Sequence, residues 1–290
     1  MIRFLVLCLL VVSAVGQTAD SPAKPAEGVE GDHGDKARAI IEQSIEALGG
    51  QAYLTADRKT QEGRFYSFFN GQSNSVGTPF RYFENYPDKE RLEIIKRGGY
   101  VLPLPMVGVI VVTHQVKDKN DLVLIHNGDK GYEITYKGTA AEDAKQLNDF
   151  LRRREHSIDW VLRKWTKEPG VAFFYYGVTV ADNKPADQVT IVNAQNESVI
   201  LFIDQNTHLP IQSRFTWRDP NDKMKNVEEV IYDGYKPVQG IMTPHSITRS
   251  LNGQMSYQHF VSAVSYNQEF PPTLFDASVT YDPKKGPSKQ

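Results

Sequence analysis

The feature that most constrains this chain is a succession of about thirteen short aromatic and β-branched runs, each bounded by turn signals. Gly63 to Phe69 precedes Asn70-Gly71, Gly77 to Asn85 precedes Tyr86-Pro87-Asp88, and Glu90 to Lys96 precedes Gly98-Gly99. Val109 to Gln115, Asp121 to His126 and Gly131 to Tyr136 follow. The series resumes with Val171 to Val180, Asp187 to Ala194, Ser198 to Asp204, Ile211 to Trp217, Asn226 to Tyr235, Gly240 to Leu251 and Met255 to Tyr266. A parallel crossover needs a dozen or more residues, so the short connections make neighbours antiparallel. Such a sheet must curl, split or close, because strongly twisted open sheets rarely exceed about ten strands.

Two helical stretches accompany the strands. Ala37, Ile40, Ile41, Ser44, Ile45 and Leu48 recur at helical spacing before Gly49-Gly50, which predicts a helix over Lys36 to Leu48. Ala144, Leu147, Phe150, Leu151, Ile158, Val161, Leu162 and Trp165 form a second stripe, broken at Arg154 and ended by Pro169-Gly170. This predicts a kinked helix or a helix pair. The expected fold class is mainly β with helical insertions (α+β): a curved antiparallel sheet forming an open or half β-barrel, with an N-terminal helix and a helical lid over its hollow side. Several strands carry large apolar groups on both faces. Phe65 and Phe69 share one face while Tyr66 and Phe68 share the other, and Val199, Leu201 and Ile203 oppose Ile200 and Phe202. That pattern fits a sheet with something packed or bound on each side.

The first residues bear on the compartment. Met1-Ile2-Arg3, the apolar run Phe4 to Val12 and Ala14-Val15-Gly16 have the layout of a signal peptide over 1–16, cut after Gly16. The run is shorter than the roughly 20 residues of a membrane span. Periplasmic or secreted localisation is therefore expected, with no integral membrane segment after cleavage. Cleavage would remove Cys8, the single cysteine, and Leu7 before it does not fit a lipoprotein signal. Residues 17–35 are rich in Pro, Gly, Ala and acids and read as a disordered leader, 36–276 as one domain and 277–290 as a flexible tail.

With 33 Lys and Arg against 35 Asp and Glu and 40% hydrophobic residues, the chain is neither a disordered polymer nor a strongly basic nucleic-acid binder. Its seven histidines form no H-E-x-x-H pair, and no nucleophile elbow, Walker loop or dinucleotide fingerprint occurs. No cofactor, no metal and no catalytic residue are expected. Arg152-Arg153-Arg154 makes the helical insertion locally basic, a candidate contact for a membrane surface or a partner. Each such cation near an anionic bilayer adds about 1 kcal/mol.

Several turn motifs carry a resemblance. Glu46-Ala47-Leu48-Gly49-Gly50, Asn127-Gly128-Asp129-Lys130-Gly131-Tyr132, Phe202-Ile203-Asp204-Gln205-Asn206-Thr207-His208-Leu209-Pro210, the stretch Tyr232 to Pro244 and Phe270 to Asp276 resemble the outer-membrane lipoprotein-sorting (LolA/LolB-like) superfamily, over roughly Lys36 to Asp276. The resemblance implies a half-barrel whose concave face binds acyl chains under helical lids, without catalysis. The expected function is an exported carrier or chaperone for lipids or lipidated proteins, with a possible envelope partner. It also implies a sheet arginine that keeps the lid closed, for which Arg64, Arg81 and Arg91 are the early-strand candidates. The expected ligand contacts are Phe65, Phe69, Tyr82, Leu147, Phe150, Leu151, Ile158, Val161, Leu162 and Trp165. The competing expectations are an envelope scaffold with a filled interior and, less favoured, a hydrolase.

Overall fold

The computed structural model describes residues 30–94, 116 and 118–283. The expected signal peptide, the leader up to residue 29, the Gly98-Gly99 turn, the strand at Val109 to Gln115 and the tail from residue 284 lie outside the described residues.

Helix α1 (Glu30–Leu48) starts six residues before the predicted Lys36 and is followed by the short α2 (Gln51–Thr55). The strands β1 (Arg58–Phe69), β2 (Gln72–Ser73), β3 (Thr78–Asn85), β4 (Lys89–Ile94), β5 (Leu122–Asn127), β6 (Lys130–Thr135) and β7 (Gly138–Ala141) come next. Helices α3 (Ala144–Glu155) and α4 (Ile158–Arg163) follow, with a 3₁₀ turn at Trp165–Lys167. The second run comprises β8 (Ala172–Ala181), β9 (Lys184–Val192), β10 (Ser198–Asp204), β11 (Pro210–Arg218), β12 (Lys225–Asp233), β13 (Lys236–Val238), β14 (Ile241–Thr243), β15 (Ser246–Leu251) and β16 (Gln254–Tyr266). The expected strand Gly240 to Leu251 is thus split around Pro244, whose ring cannot donate to a ladder.

One sheet takes nearly all of these strands in the order β7-β6-β5-β4-β3-β1-β16-β15-β12-β11-β10-β9-β8, with β2 hanging from β1 and every pairing antiparallel. It is the predicted unclosed half-barrel. Two meanders join at β1 and β16, and the free edges are β7 and β8. Bulges at Glu62/Gly63, Tyr175/Val178, Phe202/Ile203 and Arg249/Ser250 add local bend and twist to the strands that carry them. At Gly63 a Cβ would collide with the Phe260 carbonyl, so only glycine lets β1 and β16 approach this closely.

The helical insertion connects β7 to β8 and so crosses between the two free edges. It is a helix pair. Asp143 caps α3, its Oδ1 accepting from the backbone N–H groups of Lys145 and Gln146, and Ser157 caps α4 by accepting from Trp160.

Helices fill one half of the concave side. The α1 stripe of Ala37, Ile40, Ile41 and Leu48 packs with Trp160, Val161, Leu162 and Trp165 on Val189, Ile191, Val199 and Leu201 of β9 and β10. Complete burial of each such aliphatic side chain contributes about 1.5–3 kcal/mol. The convex face is covered separately. Phe83, Val123 and Ile125 lie beneath Leu274 and Phe275, and Arg91 donates to the Leu274 carbonyl. On β3 and β5 both faces are thus covered, with lid and cavity on one side and the C-terminal segment on the other, whereas on β10 the second face, Ile200 and Phe202, packs in a separate cluster with Ala181, Ala186 and Ile211. Thr280 and Tyr281 still bond to Thr139, so ordered contacts reach further into the expected tail than its polar composition implied.

Candidate functional site

Helices leave the other half of the hollow open. A cavity of about 460 Å³ lies between the concave face of β1, β3, β4, β5, β12, β15 and β16 and the α3–α4 lid. This volume falls within the about 300–1,000 Å³ typical of small-molecule sites. Strand alternation supplies its wall: Lys59 and Gln61, Phe80, Tyr82 and Glu84, Glu90 and Leu92, Leu124 and His126 point in from the first meander. Glu228, Val230 and Tyr232, Ile247 and Arg249, Tyr257 and His259 do so from the second. Phe150, Ile158 and Trp160 close it from the lid.

Among the expected ligand contacts, Tyr82, Phe150 and Ile158 line this cavity. Val161, Leu162 and Trp165 are turned into the helix–sheet core, since successive helical residues step by about 100° around the axis and cannot share one face. Phe65 stacks on Tyr257 beyond the lining, and Phe69 is 70% exposed past the last β1–β16 pair. Leu147 packs over Gly131 and Leu151 is half-buried, both away from the lining.

The same step explains the three arginines, which fan out instead of facing solvent together. Arg152 bonds Asp149 at 2.6 Å and lies over the Trp217 ring at 3.4 Å. Arg153 lines the cavity. Arg154 donates to the carbonyls of Gly128 at 2.9 Å and Asp88 at 3.4 Å, fastening the lid to turns of the sheet. The early-strand arginines do not take that part. Arg64 donates to the Gly77 carbonyl, Arg81 pairs with Glu62, and Arg91 pairs with Glu93. Lid fastening therefore comes from the helix side, through Arg154 and through Arg163, which donates to the Ala56 carbonyl at 2.7 Å.

The inner wall is also less uniformly apolar than expected. Lys59 Nζ sits 2.6 Å from Glu84 and 3.4 Å from Asp159 of α4, and Tyr53 donates to Asp159 at 2.9 Å. Burial opposes the Lys59 charge, but the two carboxylates outweigh it and hold the ammonium protonated well above its usual range. His126 pairs with Glu142 at 2.9 Å and stacks on Phe150. Glu90 is pushed up to about 7, first by burial and then by the charge of Glu84. A carboxyl group raised in the folded state stabilises fully below its unfolded value and loses that contribution as pH rises through about 7. Glu90→Gln should accordingly show a smaller fall in Tm between pH 5 and pH 8 than the parent; equal falls would remove Glu90 from this account.

Among the described residues no group of three or more His, Cys, Asp or Glu is placed to hold a metal, and no helix is long and apolar enough to cross a membrane.

No protein-family model matches the chain, and no curated protein matches it. Solved structures do. A DUF1329 family protein from Desulfovibrio piger superposes with a TM-score of 0.53 at 10% identity, covering 83% of this chain and 97% of the other. A domain assigned to outer membrane lipoprotein sorting from Vibrio parahaemolyticus gives a TM-score of 0.50 at 9% identity, covering 84% and 97%. A LolA superfamily protein from Nitrosomonas europaea gives 0.48 at 11% identity, covering 83% and 97%. At such identities the likeness establishes architecture alone: this chain shares the fold of the first two of these structures.

Proposed function

We propose that the protein is an exported, non-catalytic carrier that takes an acyl chain, from a lipid or a lipidated protein, into the cavity beneath the α3–α4 lid. The observation that carries this reading is the cavity itself, open where a scaffold with a filled interior would be packed, and roofed by Phe150, Ile158 and Trp160. Each methylene withdrawn from water contributes about 0.8 kcal/mol, so a chain is held without special chemistry. Three carboxylates of the wall are already engaged, Glu84 and Asp159 by Lys59 and Glu142 by His126, and Glu90 shares a hydrogen bond with Tyr82, which supports carriage over hydrolysis. The signal-like N-terminus supports a location in the periplasm or outside the cell, where a lipid or lipidated envelope protein would be the partner.

Delipidated protein should take up an uncharged fluorescent acyl ester with saturable enhancement, and native mass spectrometry of protein from its own host should show bound acyl mass. A protein that arrives empty and leaves the ester in solution would refute the carrier.

A further inference from the structure

Charge is balanced through most of the cavity and unbalanced at one end. Lys59 has Glu84 and Asp159, His126 has Glu142, and Arg154 is spent on backbone carbonyls. Arg152 has Asp149, with Glu228 further off at 3.9 Å. Arg153 of α3 and Arg249 of β15 remain. Both line the cavity, and neither guanidinium has a hydrogen bond or ion pair among the described residues. The Arg249 guanidinium lies 5.8 Å from the centre of the Tyr257 ring, and its Nε is buried without a partner.

The nearest acid able to serve them is Glu228, which draws on Arg153 while Arg249 repels it. Two guanidinium groups against one carboxylate leave a surplus positive charge on the cavity wall. Both side chains are half-buried, and a cation partly withdrawn from water without a partner is costly, so an anion entering here is favoured. A third unpaired group adjoins them. His259 lies on β16 two residues from Tyr257, the cross-strand partner of Arg249, and both its ring nitrogens are buried without a partner. Burial first, then Arg249 and Lys59, push its pKa down to about 3, so it is a neutral ring offering one N–H donor.

We infer that this end of the cavity receives the anionic head of the bound amphiphile, a carboxylate or phosphate monoester held by Arg153 and Arg249 with His259 as a further donor. The inference rests on the carrier reading and names its ligand class. Leu92 and Leu124, across the sheet on β4 and β5, are the wall toward which the chain would run. The planar guanidinium forks suit both oxyanions.

The test compares three probes with one common fluorescent chain: a fatty acid, its methyl ester and a lysophosphatidic acid. At least one anion should bind about tenfold or more tightly than the ester, the worth of one hydrogen bond to a charged group. Preference for the fatty acid alone identifies a carboxylate ligand, and for the lysophosphatidic acid alone a phosphate. Arg153→Gln with Arg249→Gln should erase the preference, so that within the variant the anions bind no more tightly than the ester, and Arg249→Lys alone should retain part of it. Equal affinity for all three probes in the parent protein would overturn the inference while sparing the carrier, and needs no variant. Persistence of the preference in the double variant would also overturn it. Failure to bind any probe would remove the carrier reading together with this one.

Discussion

Replacing Lys59 with methionine is expected to destabilise the fold by roughly 3–5 kcal/mol at neutral pH, the usual cost of removing one partner from a buried ion pair. Among the described residues Lys59 is the only cation bridging Glu84 on the neighbouring strand β3 and Asp159 on the lid, and its side chain is 19% exposed. Without it two carboxylates share a poorly hydrated corner, and the pKa of Asp159, whose burial raises its carboxyl while the Lys59 charge holds it low, must rise. The sign of the pH effect follows. Carboxyl groups raised in the folded variant recover stability as they protonate, so the deficit should narrow toward pH 5. Urea unfolding of parent and variant at pH 7.5 and pH 5 measures both quantities. A deficit under about 1 kcal/mol at both pH values would mean that water already screens the cluster.

The largest effect on binding is expected from Val230→Trp. Val230 faces the cavity from β12, between Ser213 on β11 and Arg249 on β15. An indole there has open volume to enter, so it costs the fold little and takes space from the ligand. Displacing about three methylenes at about 0.8 kcal/mol each weakens acyl binding well beyond tenfold. Unchanged affinity in a variant with a native circular dichroism spectrum would place the ligand outside this cavity.

Much of the fold was legible because antiparallel meanders write themselves locally. Ser198 to Asp204 was delimited to the residue, since β-branched alternation begins and ends at turn signals there. β7 was missed because Gly138-Thr139-Ala140-Ala141 has no large side chain to show a period. The site was legible only in part. Strand parity puts Phe80 on the same face as Tyr82, opposite Arg81 and Phe83, and by the same parity Glu84 also points inward. The Lys59, Glu84 and Asp159 cluster could not be read from spacing, because β1–β3 register and the lid bring together groups far apart in the chain. Nor could the direction of Arg152, Arg153 and Arg154 be read while the helix phase was unknown.

The insertion between the two free edges has a mechanical consequence. Only residues 142–143 separate β7 from α3, and only 168–171 separate the 3₁₀ turn from β8. The helices are thus a strap sewn to both rims with almost no slack. The two rims therefore cannot part by more than the strap's own span unless a helix unwinds.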